Sequence, residues 1–452
     1  MPADPVAHPA GSSTRWLLGL TLLALLVRAA FLLLEPTTHP VADELTWTNW
    51  AIEGLLSDRV SWSPLRTNMI FYPPLYVYFI AVPYALFKTL TAVKWAQIVV
   101  SALMVPAIGL VALRTFGRRA GIVAAAMAAL YPELVWFSVH FWSETLFMLF
   151  LWWGMERLLA AEDQGTLSRS LAAGVLFGLA ILTRETVLYF LPFAALWLGL
   201  GRLPGARARG ATFLLAGLLC VAPWTYRNWV QFHTFIPVST AGGLNLYQGN
   251  APLTRQEVYD RYHAVQGRAE QYEWARREGI RAILDRQPFW LFEKLRDQMP
   301  NFWEADSLAL IHIKRVAYGC VGVAPARAAA VVVLVPYLLI LAAAIAGVAA
   351  LRLDRKSFLL LFLLAFYNGL HIITHGFARY RLPVLPIVMI LAASAGAAWS
   401  RRSYPRLTRR RLVLAAVLSL ATVACLVPSF EMNYDHPAFG FAPPNRALYP
   451  CP

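Results

Sequence analysis

The chain has 452 residues, of which 58% are hydrophobic and 14% charged, and apolar runs recur along its whole length. That composition excludes a soluble protein folded around one buried core and reads as a polytopic membrane protein. The formal charge of +15 and pI near 9.9 would suit a nucleic-acid partner, so the placement of the positive residues decides. Arg15 and five short stretches between apolar runs (114–119, 156–169, 202–209, 352–356 and 401–411) hold 18 Lys and Arg against four acids. Nearly all of the net charge is therefore a positive-inside signature, and no case for nucleic acid remains.

In chain order, residues 16–34 are long enough to span. No small-residue cleavage site follows, so they read as a retained helix that leaves Asp43 and Glu44 outside. The first outer region, 35–94, holds a Trp-rich amphipathic stretch (Trp47, Trp50, Trp62) and a segment at 72–90 opened by Pro73 and Pro74. If every positive loop is cytoplasmic, 72–90 has to lie along the outer interface, because a crossing there would put 114–119 outside. Its Tyr72, Tyr76, Tyr78 and Tyr84 suit the headgroup level. Further spans are predicted at about 95–113, 120–138, 144–160, 170–184, 186–200 and 211–226, the 170–184 and 186–200 pair being short for a perpendicular crossing.

Residues 227–326 follow, with 12 Lys and Arg nearly balanced by ten acids and a helical pattern over about 255–298 broken by Pro288. They read as a small helical domain on the outer face. Spans at about 326–351, 358–376, 382–399 and 412–428 bring the total to 11. The expected architecture is an all-α polytopic protein: a transmembrane module over 1–226, an outer helical segment over 227–326, a second transmembrane module over 327–428 and an outer tail over 429–452. The four cysteines fit no metal spacing. Cys220 and Cys425 fall in spans, while Cys320 and Cys451 fall outside, where a disulfide between them is open to an oxidising compartment.

Five constellations at the outward ends of the spans carry chemistry. Asp43 with Glu44 can supply a general base or a cation ligand, and Asp43 equally suits the N-cap of an interfacial helix. His140 and Glu144, four apart beside Trp136 and Trp142, can line a pocket, or Ser143 and Glu144 can simply open the next helix. Arg184 with Glu185 reads as a site or as an internal ion pair. Arg227 and Asn228 close a span, and 239–250, with Asn245 and Tyr247, form a Gly- and Asn-rich polar stretch that reads as a loop fit for close backbone approach to a ligand. His371, His375 and Arg379, spaced by four with Asn368 ahead, would share a helix face, and Arg381 follows. Cations there can grip a phosphate or snorkel to headgroups.

These residues occur in a telling order. Asp43-Glu44, Tyr-Pro-Pro-Leu-Tyr at 72–76, Glu144, Gly-Leu-Ala-Ile-Leu-Thr-Arg at 178–184, Pro-Trp-Thr-Tyr-Arg-Asn at 223–228, Gly-Gly-Leu-Asn-Leu-Tyr-Gln-Gly-Asn at 242–250 and Ala-Arg-Tyr-Arg-Leu-Pro-Val-Leu-Pro at 378–386 resemble the GT-C membrane glycosyltransferases. Within them the likeness is to bacterial relatives of glycosyltransferase family 39, which includes protein O-mannosyltransferases and aminoarabinose transferases of lipid A, over roughly residues 15–400.

The resemblance implies an enzyme of the bacterial inner membrane, its active site facing the periplasm. It would pass a sugar from a polyprenyl-phosphate donor to a lipid, glycan or protein acceptor with inversion. It assigns Asp43, with Glu44 beside it, to the base and Glu144 to the second acidic position. Arg379 and Arg381, with His375, Arg227 and Arg184, would hold the donor phosphate, and Tyr72, Tyr76, His140, Asn245, Tyr247 and His371 would line the substrate cavity. The single carboxylate at Glu144 departs from the Asp-x-Asp of the oligosaccharyltransferase branch, so a divalent cation is allowed but not required. The rival class is a transporter or flippase of an anionic lipid. Against it stands the absence of matched inverted halves, since the large outer segments follow the first and seventh spans.

Overall fold

The computed structural model describes residues 14–35, 40–56, 70–400 and 408–435, and every regular element among them is helical. Seven helical segments have the length and apolarity of a crossing: Arg15–Leu34, Leu90–Phe116, Ala206–Phe232, Val323–Ala350, Arg355–Ile373, Ala378–Gly396 and Arg409–Pro428. In order they carry α1 (Thr14–Leu34), α4 (Leu90–Phe116), α10 (Ala206–Phe232), α16 (Val323–Ala350), α17 (Arg355–Ile373), α18 (Leu385–Ser400) and α19 (Arg409–Asp435). The other four predicted spans are also helical. They are α5 (Arg118–Leu130) with α6 (Pro132–Phe137), α7 (Glu144–Gln164), α8 (Leu167–Thr183), and a 3₁₀ turn Glu185–Leu188 leading into α9 (Leu191–Gly199).

The α5–α6 break follows from Pro132. It offers no N–H to the carbonyl of Ala128 and holds Tyr131 extended. Arg28 of α1 repairs the defect from across the bundle, donating to the carbonyls of Ala128 (3.1 Å) and Ala129 (2.8 Å) and to Ser101 Oγ (2.7 Å). A buried arginine in a spanning helix is thus accounted for by orphaned backbone.

α7 is buried along nearly its whole length and packs on α4 and α8, while α8 lies against α10. Gly174 permits that last approach, because a Cβ there would collide with the carbonyl of Phe213. At one end of the bundle Arg114 pairs with Glu156 (2.8 Å) and Asp163 (3.1 Å), Lys356 with Asp163 (2.6 Å), and Arg355 with Glu162 (2.9 Å). The positive loops 114–119, 156–169 and 352–356 therefore gather on one side.

The opposite end carries α2 (Asp43–Asn49), α3 (Leu75–Phe87) and the helices between α10 and α16. These are α11 (Ala241–Asn250), α12 (Arg255–Ala264), α13 (Arg268–Leu284), α14 (Trp290–Trp303) and α15 (Leu308–Lys314). Helices α11, α12 and α13 share a small core of Leu244, Tyr247, Val258, Tyr262 and Ala275, and α14 packs on α17 and α19. The stretch 241–250, expected as a polar loop, is the helix α11. Its glycines fit it between neighbours, since a Cβ on Gly249 would collide with the carbonyl of Thr374. Cys220 and Cys425 are free thiols and Cys320 is disulfide-bonded. Cys451, Trp62, much of 401–411 and most of the 429–452 tail lie outside the described residues.

Candidate active site

A cavity of ≈ 560 Å³ opens between the first outer loop, the α6–α7 turn, the Arg184 turn, α11, α15 and the segment after α17, within the size range of small-molecule sites. At its centre Arg379 bridges two carboxylates. Nη1 lies 3.1 Å from Asp43 Oδ2, and Nε lies 3.3 Å from Glu144 Oε1. The guanidinium sits over the rings of Trp142 (4.5 Å) and Tyr380 (5.2 Å), which fix its plane. Arg184 Nη1 approaches Glu144 Oε1 to 2.8 Å and donates to Ser143 Oγ at 3.1 Å. Neither arginine meets Glu144 in hydrogen-bond geometry. Both oxygens of this carboxylate, only 1% exposed, thus lack a hydrogen bond among the described residues while Glu144 lines the cavity.

Asp43 is the first residue of α2, not its N-cap. Ala42 holds that position with φ 51° and offers no capping side chain, a strained conformation for alanine. The helix start is satisfied instead by Glu44, whose Oε2 accepts from Val41 N at 3.2 Å. Glu44 also accepts from Phe141 N (2.7 Å) and from the Tyr318 hydroxyl (2.7 Å) and is buried outside the cavity lining. The pair therefore divides. Glu44 is clamped by three donors, and Asp43, its side chain 44% exposed, faces the cavity. Burial first, and then the Glu44 carboxylate beside it, hold the Tyr318 hydroxyl far above its ordinary pKa, so it stays a donor.

Arg184 pairs with Glu144 and not with its neighbour Glu185, which accepts from Ser239 Oγ at 3.0 Å and so ties the Arg184 turn to the start of α11. Ser143 likewise serves Arg184 in place of capping α7. His371, His375 and Arg379 do not share one helix. α17 ends at Ile373, and Gln298 Oε1 captures Gly376 N at 2.7 Å, which turns the chain into the 3₁₀ segment Ala378–Val384 that carries Arg379. All three still line the cavity, with His371 stacked on Tyr380 at 4.7 Å. Burial, then the charges of Lys294, Arg255 and Arg379, pushes His375 down to about 4, so the ring is neutral at pH 7.

Tyr72 and Asn245 line the cavity, Tyr72 against Trp47 at 4.4 Å. The other predicted residues are engaged elsewhere. Tyr76 is buried and donates to Gln97 Oε1 at 2.7 Å. His140 stacks on Trp136 (3.9 Å) and meets Glu35 at 2.8 Å. Tyr247 packs on Trp274 in the α11–α13 core. Arg227 lies over Trp224 (4.7 Å) and donates to Asn228 Oδ1 at 3.0 Å. Arg381 lies over Tyr337 and donates to the carbonyls of Phe302 (3.3 Å), Glu304 (2.8 Å) and Asp306 (2.5 Å). Arg227 and Arg381 do not line the cavity. Truncating Arg381 to Met would strip those buried carbonyls of their donor and is expected to cost about 3–5 kcal/mol of stability. A markedly lower apparent Tm in detergent, with phosphate affinity unchanged in the folded fraction, is the expected result. Unchanged Tm with lost affinity would return Arg381 to the site.

Sequence reasoning passed over Arg255, Tyr259, Tyr272, Arg276 and Arg315, all of which line the cavity. Arg255 and Arg315 have no carboxylate partner within ion-pair distance among the described residues. A signal was there to find: Arg255 with Tyr259, and Tyr272 with Arg276, each sit four apart on one helix face.

Over 96% of its length the chain superposes on the oligosaccharyltransferase AglB of Archaeoglobus fulgidus, in complex with an inhibitory peptide and a dolichol-phosphate, with a TM-score of 0.51 and 14% identity. The chain has the GT-C fold. The apo form of the A. fulgidus oligosaccharyltransferase gives a TM-score of 0.50 at 14% identity over 95% of this chain. The chain spans 57% and 56% of the length of those two proteins. ArnT of Cupriavidus metallidurans bound to undecaprenyl phosphate is 18% identical over 86% of this chain and 79% of its own, with a TM-score of 0.42. Within the GT-C fold, residues 72–226 match the dolichyl-phosphate-mannose-protein mannosyltransferase family. No curated protein matches the sequence.

Proposed function

We propose that this protein is a membrane glycosyltransferase that moves a sugar from a polyprenyl-phosphate donor to an acceptor hydroxyl in the cavity around Asp43. The observation that carries the reading is the pairing of a solvent-reachable carboxylate with fixed cations in one ligand-sized cavity. Arg379, with Arg255 and Arg315, which have no carboxylate partner among the described residues, offer sites for the donor phosphate, while Asp43 offers an oxygen base. In a single displacement the acceptor oxygen bonds to the anomeric carbon and gives its proton to Asp43. The bond from that carbon to the phosphate oxygen breaks, and the electron pair leaves with the polyprenyl phosphate. Charge then grows on a group already facing arginine, which is where fixed cations lower a barrier, and the anomeric centre inverts.

A divalent cation finds little to hold it. Among the described residues no three His, Cys, Asp or Glu side chains converge, and Asp43 and Glu144 both face Arg379. The positive loops gathered at the far end support an orientation with the site outward, and the disulfide at Cys320 supports an oxidising compartment there. We place the protein in a bacterial inner membrane, with 1–226 and 327–428 as the transmembrane modules and 227–326 as the outer roof.

The test is transfer from radiolabelled polyprenyl-phosphate sugars by protein reconstituted in liposomes. Sugar release that needs Asp43 supports the reading. Intact lipid binding with no release from any donor would overturn it in favour of lipid translocation without chemistry.

The clamp on Glu44 adds a prediction. Tyr318 reaches Glu44 from the segment between α15 and α16, so it positions Asp43 without touching substrate. Tyr318→Phe removes one hydrogen bond to a charged group and is expected to lower kcat about tenfold. KM and donor affinity should hold, Tm should fall only modestly because Val41 and Phe141 still donate to Glu44, and Glu44→Gln should add little on top. Equal losses in kcat and donor affinity would assign Tyr318 to the general fold instead.

A further inference from the structure

Between residues 233 and 322 seven large apolar side chains are exposed, and six fall in one short stretch: Ile280, Leu284, Phe289, Leu291, Phe292 and Leu295, each between 41% and 68% exposed. Ile280 and Leu284 are four apart at the end of α13, and Leu291, Phe292 and Leu295 share a face of α14. Six exposed large apolar side chains within sixteen residues mark an interaction site.

The opposite face of α14 is fastened to the cavity roof. Lys294 donates to the carbonyls of Gly249 (2.6 Å) and Thr374 (3.2 Å), Gln298 holds Gly376, and Trp290 Nε1 donates to Asn250 Oδ1 at 2.9 Å. α14 also packs on α17 and α19, and α19 turns Leu420, Val423 and Val427 outward, the apolar surface a spanning helix shows to lipid. The α13–α14 patch extends that surface at the outer end of the bundle. Its rim carries Arg281 and Arg296, exposed and ion-paired with nearby acids, and the half-buried Arg286, paired with Glu293, as suits a headgroup layer.

We infer that the α13–α14 corner is seated in the outer leaflet of the membrane the chain spans, with Phe289, Phe292 and Leu295 at the boundary between headgroups and acyl chains. The seat holds α11, which lines the cavity with Gly242, Gly243, Leu244 and Asn245, at the level from which a lipid-linked molecule would slide in. The inference needs the chain to span a membrane but does not depend on glycosyl transfer.

The experiment places an environment-sensitive fluorophore on Phe292→Cys, and separately on Leu284→Cys, in a Cys220→Ala, Cys425→Ala background that keeps Cys320. Gln256→Cys on α12 serves as the control, and all are read in nanodiscs containing brominated phospholipid. Labels at 292 and 284 are expected to lose most of their fluorescence to the brominated lipid and little to aqueous iodide, with the reverse at 256. Equal iodide quenching at all three positions would overturn the inference. So would protection at 292 that persists in detergent and rises with protein concentration, because a second copy of the chain would then cover the patch.

Discussion

Asp43→Asn is expected to reduce sugar transfer about 10²–10⁴-fold, the usual contribution of a positioned general base, and at the same time to tighten the grip on polyprenyl phosphate. The second half follows from the ion pair. Asp43 Oδ2 lies 3.1 Å from Arg379 Nη1, and a donor phosphate has to compete with it. The Asp43 side chain is 44% exposed, so solvent screens the contact and the gain in affinity is small, about two- to fivefold or less than ~1 kcal/mol. Binding of a non-hydrolysable polyprenyl phosphate to wild type and Asp43→Asn, beside single-turnover transfer, reads both halves. Full transfer by the variant removes Asp43 from the chemistry. Lost transfer with weaker phosphate binding would make Asp43 a donor-site residue, not a base.

Much of the fold was legible because membrane helices advertise themselves. Length, apolarity and the Lys and Arg of short loops put every predicted span on a helix, including the two short ones, α8 and the 3₁₀ turn with α9. The outer helices were legible only in part. The composition of 241–250, rich in Gly and Asn, reads as loop, and it is tertiary packing of α11 against Thr374 and α13 that needs those glycines in a helix. Spacing misled at His371, His375 and Arg379, because a periodicity of four says nothing of where a helix stops. Gln298, 78 residues before the backbone N–H it captures, helps settle that. The same blindness to distant partners made Arg381 and Arg227 look like phosphate ligands. A sequence shows a cation near the interface, and only the fold shows three backbone carbonyls or a Trp ring waiting for it. Asp43 and Glu44 could not be told apart for a related reason. The three donors that occupy Glu44 come from residues 41, 141 and 318.

Arg379→Gln is expected to be the most damaging change at the cation side: transfer falls about 10²–10³-fold, as when a fixed charge facing a developing anion is removed, and affinity for polyprenyl phosphate falls about tenfold or more. Two consequences separate this residue from its neighbours. First, Lys should not rescue it, because a single ammonium cannot lie flat between Trp142 and Tyr380 and reach both Asp43 and Glu144. Second, the variant leaves Glu144, a 1% exposed carboxylate, with Arg184 as its one ion-pair partner among the described residues, so part of the loss is in stability and not in chemistry. The double variant Arg379→Gln, Glu144→Gln removes that half-compensated charge and is expected to recover part of the Tm without recovering transfer. If transfer returns with Tm, Arg379 acts only by neutralising Glu144 and the donor phosphate must be held elsewhere, with Arg184, Arg255 and Arg315 as the cavity cations then without a carboxylate partner among the described residues. If neither returns, the Trp142–Arg379–Tyr380 stack is itself what shapes the site, and the arginine holds the cavity open as much as it holds the phosphate.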